Sequence, residues 1–306
     1  MMNAVEGAAK TLDFLEGERR VTRWRKILRK LRENKGALFG LIMVFAVVVS
    51  AISAPVLSPH DPILQDLEKR LLPPIGQMGA DSQYLLGTDH LGRDIVSRLI
   101  YGARISLVVS TSAVAFSAIL GTIIGLLSGF YGGKLDSIFM RLADVQLAFP
   151  FILLAIAIIA VLGPSLRNII IVMGITGWVI YARVVRADVL SLREKEYIIA
   201  VKALGGSNGR IIFNHLLPNV VPPIIVIITL EMARMIIMEA ALSFLGLGIQ
   251  PPTPTWGGML ADGRVYLVTS WWLATFPGVV IMLVVLGINL LGNWLRDILD
   301  PRLTQL

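Results

Sequence analysis

The sequence predicts an all-α membrane protein with six transmembrane helices. Of its 306 residues, 55% are hydrophobic and only 16% are charged, whereas about a quarter of the residues of a soluble domain are charged. Ten of the 28 basic and five of the 21 acidic residues lie within residues 1–36, so the rest of the chain is more apolar still. A soluble globule of this length needs charges on every surface element, and this composition excludes that class of protein.

Six stretches are long and apolar enough to cross a membrane, which takes about 20 helical residues. Four of them carry no charge. The stretch at 168–182 continues as a helix past Arg183 and Arg186, and the stretch at 219–247 is interrupted by Glu231, Arg234 and Glu239. The predicted spans are residues 36–60, 105–133, 145–166, 168–182, 219–247 and 265–295.

The basic residues predict that both ends of the chain lie in the cytosol. Segments on the side of the N terminus contain 20 Lys and Arg, against seven on the other side, and basic residues favour the cytosolic side. Trp271 and Trp272 at one end of the last span and Trp294 at the other fit interfacial anchors. The predicted regions are a basic cytosolic tail, 1–35, a first span with an extracytoplasmic segment, 36–104, and a core transmembrane domain, 105–300, whose cytosolic loop is 183–217.

The basic tail directly precedes the first span, which indicates contact with anionic membrane lipid rather than with nucleic acid. The chain has no cysteine and three histidines, which excludes disulfides and thiolate metal sites. It contains no phosphate-binding loop, zinc-binding helix motif or nucleophile elbow. We therefore expect no catalytic residue, no metal site and no cofactor bound by this chain, and any driven work must take its energy from a partner or an ion gradient.

The charges of the fifth span are costly inside a membrane and need partners or water. Glu231 and Arg234 are three residues apart and can pair on one helix face. Two interpretations stay open for this pair, a translocation path that tolerates charged substrate ends and a structural ion pair. For Glu239 the structural role is favoured.

A face of small residues marks the second span. Glycines repeat there every four residues, at Gly121, Gly125 and Gly129. This spacing lets two helix backbones approach closely, and we expect a tight contact inside the bundle rather than a pore lining.

The cytosolic loop predicts a short docking helix that begins near Glu196 and ends at a glycine. Small and apolar residues follow at helical spacing, and residues 205–209 are interpreted as a turn. Such a helix suits a groove on another protein, although a helix on the membrane surface fits the pattern as well. The candidate contact residues are Glu196, Tyr197, Ala200, Lys202, Ala203, Gly205 and Ser207.

The same loop resembles a known family. The spacing Ala200-x-x-Ala203-x-Gly205, with Pro218 thirteen residues after the glycine, resembles the cytoplasmic "EAA" loop of ABC importer permeases. This chain has Ile-Ala-Val at 199–201 where the family has Glu-Ala-Ala, so the role of the family glutamate is not carried over. Three further stretches resemble the C-type subunit of the dipeptide/oligopeptide/nickel group, namely 87–94 (GTDHLGRD), 242–252 (LSFLGLGIQPP) and 295–302 (LRDILDPR).

The resemblance implies a type I ABC importer transmembrane domain in a prokaryotic cytoplasmic (inner) membrane. A second homologous permease subunit would complete a heterodimer, and two cytosolic ATPase subunits, which hold ATP and Mg²⁺, would bind a coupling helix at 196–210. An extracytoplasmic binding protein would deliver di- or oligopeptides, with nickel chelates, glutathione or small sugars as alternative substrates. A secondary transporter that uses Glu231 and Arg234 is the less favoured alternative, and an intramembrane hydrolase lacks any nucleophile and base pair.

Overall fold

The computed structural model describes residues 29–299, where helices are joined by turns and loops without any β-strand. Most of the predicted basic tail and residues 300–302 of the last matched stretch lie outside this part of the chain. The main helices are α1 (Lys35–Ile52), α2 (Ile95–Tyr131), α3 (Gly133–Leu147), α4 (Phe151–Leu162), α5 (Leu166–Leu192), α6 (Glu196–Ala203), α7 (Asn208–Phe244, with a π-helical turn at Ile212–Leu216), α8 (Trp256–Gly263) and α9 (Trp272–Leu299). Short helical turns occur at Ala54–Leu57, Leu67–Lys69 and Arg264–Tyr266.

Five of these helices, α1, α2, α5, α7 and α9, are each long and apolar enough to cross a membrane. Helices α3 and α4 are bent by 92° relative to each other and make a sixth span if they cross as one. The predicted all-α membrane fold is thus confirmed, with five to six helices able to span a membrane where six spans were predicted. The continuous span predicted at 145–166 is wrong, because Pro150 disfavours a helical backbone at Phe149 and lacks the N–H that would continue the helix.

Helix α2 begins at Ile95, ten residues before the predicted span. The carboxylate of Asp94 accepts a hydrogen bond from the backbone N–H of Ser97 at 2.8 Å, which is a helix N-cap. The predicted span began only after the last charged residue, so that Arg98 and Arg104 were assigned to the segment before it. Both belong to α2. The predicted boundary between residues 104 and 105 therefore falls inside a helix. Helix α8 lies between the last two predicted spans, 219–247 and 265–295.

The contact between α2 and α5 is made at the glycine face. A Cβ atom added to Gly125 would lie 2.6 Å from the carbonyl oxygen of Ala182, and one added to Gly129 would lie 2.7 Å from Cβ of Val189. At Gly121 the added atom would collide with the carbonyl oxygen of Trp178. The two backbones are therefore as close as missing side chains permit.

Trp272 has a different place from the one predicted. Its side chain is 5% exposed, and its indole Nε1 donates to the carbonyl oxygen of Thr88 at 3.3 Å. The prediction of an interfacial anchor is wrong for Trp272, because the loop before α2 covers the ring and supplies a partner for its N–H. Trp271 beside it is exposed.

We expect Gly125→Leu to lower the free energy of unfolding by about 1–3 kcal/mol, since the added side chain must push α5 away from α2. Thermal unfolding of the purified protein in detergent measures this. Gly209→Leu is the control, because an added Cβ there meets nothing within 4 Å. Equal midpoints for the two variants would contradict the close contact.

Candidate coupling site and buried charges

Helix α6 is an isolated eight-residue helix at one end of the bundle. We call this end the inner end and the opposite one the outer end, after the orientation that the basic residues predict. Ile198 is the one buried residue of α6, at 3% exposure, and it belongs to an apolar cluster with residues of α2, α5 and α7. The Ile198 side chain thus anchors α6 to the helix bundle.

The other face of α6 is open and largely apolar. Leu204 is 88% exposed, and Tyr197 and Ile199 are exposed as well. All seven predicted contact residues lie at exposed positions of this segment. Because these apolar side chains have no cover within the described part of the chain, the face is suited to a partner.

The turn after α6 depends on its glycines. Gly205 has a φ of 81°, and a Cβ added there meets nothing within 4 Å. A Cβ added to Gly206 would lie 2.7 Å from Val201 Cγ1. The hydroxyl of Ser207 accepts from the backbone N–H of Arg210 at 3.4 Å and caps the start of α7. This turn therefore reverses the chain tightly and leaves the end of α6 unobstructed.

Glu231 and Arg234 lie together on α7, as the spacing indicated. Arg234 Nη1 donates to Glu231 Oε2 at 3.2 Å. The glutamate side chain is 7% exposed and the arginine side chain 46% exposed. The carboxylate is thus held inside the bundle while the guanidinium faces outward from this chain, at a depth where lipid is an unfavourable surrounding for a charge.

Glu239 is hydrogen-bonded to serine hydroxyls, whereas Glu231 pairs with an arginine. Its carboxylate accepts hydrogen bonds from Ser106 of α2 at 2.9 Å and from Ser243 of its own helix at 2.8 Å. No described basic residue lies within ion-pair distance of it. The group links α2 to α7 near the outer end, which suits a structural role.

A buried ion cluster at the outer end was missed by the sequence analysis. Asp89 Oδ2 accepts from Arg93 Nε at 2.6 Å and lies 3.4 Å from Arg98 Nε. Asp262 of α8 lies 3.6 Å from Arg93 and 3.7 Å from Arg98. The cluster ties the segment before α2, predicted to be extracytoplasmic, to α2 and α8. The only sequence signal was the motif at 87–94, since the partner on α8 is distant along the chain.

Neither a metal centre nor a catalytic pair emerges among residues 29–299. No group of three or more His, Asp and Glu side chains there could hold a metal ion. The backbone carbonyl of His215 accepts from Asn219 Nδ2 at 2.6 Å, and its ring makes no hydrogen bond to a described residue. What the fold presents is a short exposed helix at one end and charged groups within an apolar bundle.

Two family models match the chain. The model of the binding-protein-dependent transport system inner membrane component matches residues 121–305, and that of the N-terminal transmembrane domain of oligopeptide transport permease C matches residues 22–74. The chain belongs to the family of binding-protein-dependent inner-membrane transport components. This permease is accordingly a multi-pass protein of the cytoplasmic membrane and an ABC importer permease of the peptide transport family.

Relatives of the permease are similar over most of their length. It is 47% identical to a dipeptide transport system permease of Alkalihalophilus pseudofirmus, over 92% of this chain and 91% of the relative. It is 46% identical to a di/tripeptide transport system permease of Pseudomonas aeruginosa, over 88% and 89%. It is 40% identical to an oligopeptide transport system permease of Bacillus subtilis, over 92% and 90%. These relatives are transport subunits rather than enzymes.

We expect Arg234→Ala to destabilise the permease, because it leaves the carboxylate of Glu231 inside the bundle without a cation. The loss should be about 1–3 kcal/mol, less than for a fully buried pair, since the guanidinium is half exposed. Replacing both residues by Gln should recover most of it. Thermal unfolding of Glu231→Gln, Arg234→Gln and the double Gln variant measures the coupling. A double variant as unstable as the sum of the two single ones would contradict the pairing.

Proposed function

We propose that the permease forms one half of the path along which di- and oligopeptides enter the cell, and that a second homologous permease forms the other half. Two cytosolic ATPase subunits bind ATP and Mg²⁺ and dock on α6, and an extracytoplasmic binding protein delivers the substrate. This chain catalyses no reaction and binds no cofactor of its own. Its task is to turn the movement of a docked motor into opening and closing of a path.

The observation that carries the proposal is the open apolar face of α6. Tyr197, Ile199 and Leu204 are exposed at the inner end, whereas Ile198 joins the helix to α2 and α5. An apolar face of this kind gains free energy when a groove on another protein covers it. A force applied to that face passes through Ile198 into the spanning helices.

Peptide substrates are supported by the relatives and fit the charges of α7. The relatives' names specify dipeptides, di- and tripeptides and oligopeptides, which favours these over nickel chelates, glutathione or small sugars. A peptide carries an ammonium and a carboxylate at its ends. The guanidinium of Arg234 is half exposed and pairs with the buried carboxylate of Glu231. Along a water-filled path, this cation can interact with the carboxylate end of a peptide. Selection among peptides is assigned to the binding protein.

We expect Gly205→Trp to abolish coupling, because the indole projects from the end of α6 into the space where the ATPase docks. Peptide uptake should fall at least about tenfold, which corresponds to ~1.4 kcal/mol of lost coupling, while ATP hydrolysis by the assembled complex continues. Uptake and phosphate release are measured with the complete transporter in liposomes.

The matched control is Gly246→Trp in the turn after α7. Its φ is 79°, against 81° at Gly205, and an added Cβ meets nothing within 4 Å at either position. Each glycine follows the last turn of a helix and donates its N–H to the carbonyl three residues before it. Both variants thus carry the same kind of left-handed backbone cost, about 1–2 kcal/mol, but only one lies beside α6. Unchanged uptake in Gly205→Trp, or equal losses in the two variants, would contradict the docking role.

A further inference from the structure

Arg193 stands where three helices meet at the inner end. It is the residue that ends α5, and its backbone N–H donates to the carbonyl oxygen of Val189 at 2.9 Å. Its Nε donates to Glu194 at 3.1 Å, and α6 begins two residues further along. Its Nη1 reaches across to α2 and donates to the carbonyl oxygen of Gly129 at 3.0 Å.

The Gly129 carbonyl that Arg193 contacts lies in the last turn of α2 and accepts no backbone hydrogen bond from within the helix. The last carbonyls of an α-helix have no intrahelical N–H. The backbone N–H of Gly132 donates to Ser128 at 3.0 Å, and Gly132 and Gly133 then turn the chain away with positive φ values. The guanidinium takes the place of the missing N–H, and a cation is favoured at this negative end of the helix dipole.

An open cleft lies beside α6 and the end of α2. It has a volume of about 500 Å³ and is lined by Phe130, Tyr131, Arg193, Ile198, Lys202 and Ile211, among others. Apart from Ile198, which packs in the apolar cluster with α2 and α5, α6 has no buried side chain that would hold it there. Within residues 29–299, the bond from Arg193 to Gly129 is the one hydrogen bond between residues 193–206 and α2.

Helix α2 is the element through which a displacement would travel. Its 37 residues make a rod of ~55 Å. Its glycine face is fixed against α5 at the inner half, and its outer end carries Arg98 of the buried ion cluster. A pull on Gly129 therefore acts on a stiff element that reaches the opposite side of the bundle.

We propose that Arg193 is a positioning residue for energy coupling, which fastens the start of the coupling segment to the C-terminal carbonyl of α2. The inference rests on the proposed function, because it requires that a motor move α6. Arg193 touches neither the substrate nor the nucleotide in this account. Its role is to make α2 follow α6 through a hydrogen bond, in addition to the apolar contact of Ile198.

The test uses the complete transporter in liposomes with its binding protein and radiolabelled alanyl-alanine. The measured quantity is the amount of dipeptide imported per phosphate released. We expect Arg193→Ala to lower this ratio about tenfold, the size expected for loss of one charge-assisted hydrogen bond, while phosphate release stays near the wild-type rate. Arg193→Lys keeps a cationic donor and should restore most of the ratio.

The control is Arg141→Ala, an exposed cation of α3 that makes no ion pair with a described residue, and it should leave the ratio unchanged. If Arg193→Ala fails to assemble, Arg193→Gln decides, because its neutral donor should give an intermediate ratio. A wild-type ratio in the Ala or the Gln variant would overturn the role of Arg193, and so would uptake and phosphate release that fall in proportion. If Gly205→Trp lowers the ratio in the same preparation, the docking role of α6 is supported whatever the result for Arg193. If Gly205→Trp leaves the ratio unchanged, the docking role itself is contradicted.

Discussion

The close approach of α2 and α5 is the constraint on which the rest of the structure depends. Three glycines of α2 place its backbone against residues 178–189 of α5 with no room for a side chain. The inner ends of both helices are thereby fixed together, directly beside the segment that leads into α6. Ile198 of α6 packs against this pair, and Arg193, just before α6, bonds to α2. In the proposed function, the rigidity of the pair lets α6 act on the long helices.

Buried charges mark the places where this bundle departs from simple apolar packing. Charged groups within a membrane protein persist only where they are paired, wet or covered. At the outer end, Asp89 and Arg98 belong to a cluster that joins the extracytoplasmic segment to α2, so that the segment is bound to the bundle by charge as well as by packing. In α7, Glu231 is covered and Arg234 faces outward, which is the arrangement expected where another surface or a wet path completes the surroundings.

Local patterns in the sequence were sufficient for five of the six predicted spans, for the glycine face and for the short helix before Gly205, because each depends on hydropathy or on spacing along one helix. What could not be predicted depends on contacts between segments far apart in the chain. Because Arg98 is charged, it was predicted to lie before the second span. In the structure, the carboxylates of Asp89 and Asp262 compensate its charge inside the bundle. Pro150 is a local signal for the break between α3 and α4, but the continuous apolar run around it favoured a single span. The burial of Trp272 depends on the loop before α2, which is distant in the sequence.

In the proposed function, the open face of α6 receives a cytosolic motor. The chain has no cysteine, so Leu204→Cys introduces a single thiol in this subunit, at the highly exposed residue that caps the end of α6. A photoactivatable crosslinker on that thiol should join the permease to an ATPase subunit in the assembled transporter, and a membrane-impermeant maleimide added outside intact cells should not react with it. Reaction from outside, or crosslinks to lipid alone, would contradict the account.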